Sequence, residues 1–327
     1  MMNRLVYSAL AIFCFAVVSC IGETSIQDYG QDNIVLNVFN SPMTKAEGDP
    51  STNYERQLNR LDCFFYVKDK TNEPCVYYHK AEVNELEAAE IRFIVNDEVL
   101  RDIFPSGSLC DVFVIANLPG DHTFEAKTPE TTMQALGAFV LDMNDEAYDV
   151  IGQPFVMTGF NRVQKGKNSN ATANIALVRV ASKVTMTVKV PKSIEIGEEG
   201  NKVTMLPMIV GDNGVVPLKT SFRYGTKKSY LSGEYPDSSE NYIFTEKIAY
   251  TQKMETETHY VFTCNMPFYT YARSWERGSN NAAYVTFEMP WGACDDGDDE
   301  AESYNTYYYQ ILVSSKDRNF KDRKSVV

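Results

Sequence analysis

The chain has 327 residues with 44 acidic against 31 basic side chains, a formal net charge of −13. That balance excludes nucleic acid as a partner, because phosphates require a basic face. The 20 Tyr and 18 Phe, together with many Val, Ile and Thr, favour strands, and no apolar run is as long as the ~18 residues a membrane-spanning helix needs.

Met1 to Arg4 form a weakly basic start, and Leu5 to Val18 form a short apolar run of signal-peptide length. Val17-Val18-Ser19-Cys20 closes that run with a small residue and a cysteine. It resembles the lipobox of bacterial lipoproteins, which implies that residues 1–19 are a signal peptide and that Cys20 becomes the lipid-modified (palmitate-bearing) first residue of a surface lipoprotein. A polar tether, Ile21 to Gln31, follows. Ile34 to Phe39 reads as a strand with Ile34, Leu36 and Val38 on one face, as a period of two requires. Ser41 to Asn53 breaks it with Pro42, Gly48 and Pro50, a composition that predicts an exposed segment.

Leu58 to Val67 is the next predicted strand, and the Glu-, Leu- and Ala-rich Glu82 to Glu90 reads as a short helix or charged loop. Asp111 to Ala116 is a buried strand ended by the turn residues Asn117-Leu118-Pro119-Gly120. Thr131 to Leu141 has helical spacing, with Met133, Leu136, Phe139 and Val140 on one stripe. Phe155 to Gly159 is a short strand, and Ala173 to Val190 alternates as one long strand stopped by Pro191. The polar Gly197 to Asn201 stretch predicts a domain boundary. Beyond it, Val203 to Val210, Lys247 to Tyr250, His259 to Asn265, Ala283 to Met289 and Tyr304 to Val313 are candidate strands. Short strands separated by turn residues predict an all-β chain of two β-sandwiches with a little helix, divided near residues 191 to 200.

Chemistry-bearing residues are sparse. Cys63, Cys75, Cys110, Cys264 and Cys294 are an odd set without a Cys-x-x-Cys pair, and His79, His122 and His259 lie far apart. A zinc site is therefore not expected, and most of these cysteines read as small core hydrophobes. The acidic run Asp295 to Glu300 lacks the spacing of a calcium loop and reads as a solvated hairpin connection. Trp275, Trp291, Phe268, Tyr269 and Tyr271 have the chemistry to stack on sugars, but core and strand-pair roles are the stronger expectation. Arg179 and Lys183 are expected on a solvated sheet face. Gly-x-Ser-x-Gly, His-Glu-x-x-His and phosphate-cradling glycine loops are all missing, so no enzyme and no cofactor are expected.

One ordered set remains: the lipobox, a first strand before an exposed loop, Leu61-Asp62-Cys63-Phe64-Phe65-Tyr66, Val114-Ile115-Ala116-Asn117-Leu118-Pro119, Phe155-Val156-Met157-Thr158-Gly159 and Leu177-Val178-Arg179-Val180-Ala181-Ser182-Lys183-Val184. In order and spacing it resembles the fimbrillins, subunits of the type V pili of Bacteroidetes-type bacteria. The resemblance covers the first two-thirds of the chain; beyond residue 200 it rests on Tyr307-Tyr308-Tyr309-Gln310-Ile311.

The resemblance implies an all-β fold of two tandem sandwiches of the transthyretin-like, fimbrillin type, with a prosegment over 20–45, an N-terminal sandwich over 46–191 and a C-terminal one over 192–327. It implies export as an outer-membrane lipoprotein, proteolytic removal of the first strand (Ile34, Leu36, Val38), and refilling of the vacated groove by a strand of another fimbrial subunit to build a fimbrium serving adhesion. The implied cut lies between Lys45 and Ala46, where the family typically has Arg in place of Lys45; Arg56 and Arg60 are the alternatives. If the first strand is kept, the chain is a fimbrial anchor or a lipoprotein that binds a glycan or host protein. Family members usually continue past the Tyr-rich strand into further strands. Here Ser314 to Val327 is charged and alternates poorly.

Overall fold

The structure, a computed structural model, describes residues 34–40, 57–86, 90–95, 98–105, 107–142, 155–165, 171–184, 186–199, 201–208, 210–211, 214–215, 219–234, 240, 242–245, 250–264, 268–271, 280–294 and 304–313. Strands dominate, and two short helices accompany them. In chain order come β1 (Ile34–Asn40), β2 (Leu58–Val67), β3 (Tyr77–Leu86), β4 (Glu90–Val95), α1 (Glu98–Ile103), β5 (Leu109–Ala116), α2 (Met133–Gly137), β6 (Val140–Asp142), β7 (Met157–Gln164) and β8 (Ala171–Arg179). Next are β9 (Ala181–Val184), β10 (Thr187–Pro191), β11 (Ile194–Ile196), β12 (Val203–Pro207), β13 (Val210–Gly211), β14 (Gly214–Val215), β15 (Lys219–Thr226), β16 (Lys228–Tyr230) and β17 (Gly233–Glu234). The last are β18 (Tyr242–Thr245), β19 (Tyr250–Glu255), β20 (His259–Cys264), β21 (Phe268–Tyr271), β22 (Tyr284–Cys294) and β23 (Tyr304–Leu312).

A seven-stranded sheet in the order β3-β2-β5-β7-β8-β1-β4 forms the first half. The second half holds a three-stranded sheet, β10-β20-β19, and a larger one in which β12 and β15 share one edge of β22 while β23 takes the other. Two small sheets, β17-β16-β6 and β21-β9, tie the halves. This is the all-β, sandwich-type architecture expected from the sequence.

Two apolar clusters form the core. The larger runs from Ile34 to Ala181 and takes in Leu231, Tyr269 and Tyr271 from the later chain. The smaller gathers Val184, Val190, Phe222, Phe262, Phe287 and Trp291, among others. Phe64 and Phe65 anchor the first: Phe64 meets Tyr78 at 5.2 Å and Phe124 at 5.1 Å, and Phe65 meets Tyr77 at 5.4 Å between ring centroids. Such ring contacts add to simple area burial.

Two charged clasps lock this sheet from within. Asp62 is fully buried; its carboxylate lies 2.8 Å from Arg60 Nε and accepts from Arg60 Nη2 at 2.9 Å and from the Tyr78 hydroxyl at 2.7 Å. The same guanidinium donates to the carbonyls of Gly120 and His122, fastening β2 to the loop after β5. Asp111, also buried, faces Arg162 directly across β5 and β7 and receives both Nε and Nη2 of its fork.

The Arg162 hydrogen bonds hold the Asp111 carboxyl below its ordinary range, against the opposing effect of burial. A depressed folded-state pKa contributes stability that is complete above the unfolded value of 3.8 and is lost as pH falls through the lower folded value. Asp111→Asn is therefore expected to flatten the acid limb of the stability profile below about pH 4, read by urea titration at stepped pH. A limb of unchanged slope would show that other carboxylates govern it.

Several boundaries differ from the sequence reading. Glu82 to Leu86 is strand, continuing β3, and β4 begins at Glu90, so the expected helix or loop is corrected. Thr131 to Leu141 holds only the five residues of α2, capped by the Thr132 side chain accepting from Ala135 N, before β6 starts. The single strand expected over Ala173 to Val190 is three, β8, β9 and β10, each in a different sheet. The Asn117 turn is present: Asn117 takes the left-handed φ of 57° that asparagine tolerates. Its side chain accepts from Asn59 N and donates to the carbonyls of Gln57 and Phe155.

Candidate functional site

The residues singled out as a removable strand form β1, and its setting is the informative geometry. β1 lies inside the sheet, parallel to β8 along Ile34–Asn40 and antiparallel to β4 along Ile34–Phe39. Its sequence accounts for the fit. Ile34, Leu36 and Val38 alternate onto the core face, at no more than 1% exposure, opposite Ala171, Ala173 and Ile175 of β8. Small residues at 171 and 173 leave room for the larger side chains of β1. Val35 is also buried, and Asn37 donates to the Asn174 side chain at 3.1 Å.

The far wall of this slot depends on a glycine. A Cβ on Gly159 of β7 would stand 2.6 Å from Ile175 Cγ2 and 2.8 Å from the Ala176 carbonyl. Only a bare backbone lets β7 approach Ile175 this closely, and Ile175 is the partner of Val38. Burying four aliphatic side chains of β1 contributes on the order of 6–12 kcal/mol by area, before the backbone ladder on each side.

Other singled-out residues scatter. Cys20, Lys45, Ala46 and Arg56 lie outside the described residues, as do Trp275 and the acidic run Asp295 to Glu300. Arg60 sits within β2, which is paired on both edges, and its side chain is 11% exposed in the Asp62 clasp. Arg179 is corrected: it is buried at 6% on the core face of β8, its guanidinium 5.4 Å from the Phe155 ring centroid. Contact with an aromatic face favours a cation at that position. Lys183 lies in β9 and Phe268 in β21.

Trp291, Tyr269 and Tyr271 are buried, in accord with core roles. Cys63, Cys75 and Cys110 are buried free thiols, and burial pushes all three above the ordinary thiol range; Cys294 is buried as well. Among the described residues no group of His, Cys, Asp and Glu is arranged to hold a metal ion.

Sequence reading missed β4 as a wall of the slot. Ile91, Phe93 and Val95 alternate at a period of two, and that signal was available beneath the acidic residues around it. A second concavity, a groove of about 380 Å³, opens between β10 and the β22–β23 pair, lined by Val188, Val190, Phe287, Met289, Trp291 and Tyr309 among others.

No family model matches the chain, and no curated protein matches it. Solved structures do. A protein from Parabacteroides distasonis named for cell adhesion superposes with a TM-score of 0.51 at 10% identity, over 88% of this chain and 82% of that one. A protein from Bacteroides eggerthii, likewise named for cell adhesion, gives 0.42 at 17% identity over 87% and 81%. The tip fimbrial protein from Porphyromonas gingivalis, truncated at its C-terminus, gives 0.45 at 11% identity over 86% and 82%. At such identities the likeness is one of fold, and of these three the first reaches a TM-score of one half. The chain thus shares the fold of a Bacteroidetes-type protein named for cell adhesion, in keeping with the fimbrillin resemblance in its sequence.

Proposed function

We propose that this chain is a structural subunit of surface fimbriae serving adhesion, a two-sandwich protein exported as a lipoprotein on Cys20 and polymerised by strand replacement at the β1 slot. The observation that carries this reading is β1 itself. It is a short strand, almost fully buried, and separated from β2 by the 41–57 segment, so a cut in that segment leaves it held without a covalent bond to the body of the subunit. A strand of alternating apolar residues from a second subunit would meet two open ladders and the pockets vacated by Ile34, Leu36 and Val38. Backbone pairing would supply affinity and the pockets register.

The cut is placed at Lys45-Ala46, with Arg56 as the alternative. Cleavage at Arg60 would require opening β2 from both neighbours and is the least suited of the three. The role is structural, without catalysis, and its partners are fimbrial subunits.

The test is to shear surface fibres from cells expressing the chain and to determine the N-terminus of the released polypeptide. A start at Ala46 or just after Arg56 is the expected result. A lipid-modified Cys20 found solely in the membrane fraction would overturn the polymerised-subunit reading and leave an anchor or a non-polymerising binding lipoprotein.

A further inference from the structure

β23 pairs along one edge with β22, and it carries no charged residue. All nine of its residues are exposed, with Tyr304 at 63% and Tyr308 at 67%, and among the described residues it pairs with β22 alone. Among the described residues its outer edge is therefore an unpaired row of backbone donors and acceptors. The sequence Tyr-Asn-Thr-Tyr-Tyr-Tyr-Gln-Ile-Leu contains no charge, no Pro and no Gly, in a chain that is 23% charged. Proteins guard open edges with lysines, prolines or bulges; this edge carries none of these.

The flanks say what fits it. Residues 295–303 carry six acidic side chains and no basic one, whereas residues 314–327 carry five basic and two acidic. They leave β23 from opposite ends, about 25–30 Å apart at the rise of an extended strand. A second copy laid antiparallel along the same edge sets the end that continues from the acidic segment beside the end from which the other copy's basic segment continues. A parallel copy sets acid against acid.

We infer that β23 is a self-recognition edge: two copies of this chain pair through β23, antiparallel about a two-fold axis at Tyr308. The centred register sets Tyr308 opposite Tyr308 of the second copy, Tyr307 opposite Tyr309, Thr306 opposite Gln310 and Tyr304 opposite Leu312. These are aromatic, hydrogen-bonding and aromatic–aliphatic cross-strand pairs with no like charges opposed. The contact is isologous, and so closes at two copies. A single strand pair is smaller than the ~1,200 Å² or more of a standard interface, so the association is reversible. It is independent of the fate of β1.

Full-length chain with Cys14, Cys20 and Cys264 changed to Ser, carrying either Tyr308→Cys or Tyr304→Cys, is treated with a short bis-maleimide and resolved on a denaturing gel. The remaining cysteines are buried and do not compete. The paired 308 positions lie about 5 Å apart, while the two 304 positions are separated by nearly the strand length, so at least tenfold more cross-linked dimer is expected from Tyr308→Cys. Equal cross-linking at both positions would mean parallel pairing, and none at either would mean that another segment or partner covers the edge; both overturn the proposal. Sedimentation supplies the second arm. Tyr308→Lys, a change at an exposed site, sets two cations face to face and is expected to weaken dimerisation at least tenfold, and raising salt is expected to weaken the native dimer. A dimer indifferent to Tyr308→Lys would equally refute the pairing.

Discussion

Leu36→Asp is expected to lower unfolding free energy by at least ~4 kcal/mol, enough to unseat β1 in most molecules. Leu36 is fully buried on the core face of β1, opposite Ala173. The substitution forfeits about 1.5–3 kcal/mol of aliphatic burial and places a carboxylate in an apolar slot, where an unpaired charge costs several kcal/mol more. Leu36→Ala, which removes atoms without adding charge, is expected to cost about 2–5 kcal/mol. Urea unfolding gives both numbers, and amide exchange along β8 reports whether its edge has opened. Exchange should rise at Ala173 and Ile175 while β2 and β5 stay protected. Uniform loss of protection would show instead that β1 and the body unfold as one unit, which removes the basis for exchanging β1 separately. If Leu36→Asp left stability within ~1 kcal/mol of native, the slot would not depend on β1 at all.

The second large effect concerns Asp62. Removing one partner of a buried ion pair typically costs about 3–5 kcal/mol, because the other charge is left behind without compensation. Asp62→Ala leaves the Arg60 guanidinium and the Tyr78 hydroxyl facing an empty site in the middle of the sheet. A loss in that range is expected by urea unfolding. Arg60→Met combined with Asp62→Leu should recover most of it, since a well-packed apolar pair can match a buried ionic one. A loss below ~1 kcal/mol for Asp62→Ala would mean that water or Tyr78 satisfies the guanidinium, and that the clasp does not hold β2.

How much of this was legible in the sequence depends on what each signal measures. Leu58 to Val67 was readable to the residue because the apolar run Cys63 to Val67, with Leu58 and Leu61 before it, marks a strand despite Asn59, Arg60 and Asp62. Alternation over Ala173 to Val190 was equally clear, yet a period of two records only which face a side chain takes. It is blind to the partner, and here the partners change twice, from β7 and β1 to β21 and then to β20. Arg179 departs from the expectation because alternation with apolar residues gives a charged side chain a solvent face by default, whereas an aromatic ring can hold a guanidinium inside. β4 was hidden because the Glu-rich stretch before it has helical composition, and pairing with β1, some fifty residues earlier in sequence, overrides that local preference. The first strand was legible as a strand, but its position between two others was not, since that is a property of topology.

That position has a kinetic side. β4 joins the seven-stranded sheet through β1 alone among the described residues. Once the connection after β1 is severed, nothing falls away: a nicked subunit keeps β1 clamped by two ladders, and departure requires both to break or β4 to swing aside. An edge strand could peel residue by residue with one ladder at stake. An inserted strand leaves slowly, and a newcomer has to satisfy both neighbours before it is held. On the strand-replacement reading proposed above, a nicked subunit would therefore be a long-lived closed state that keeps its apolar slot from water until an incoming strand arrives.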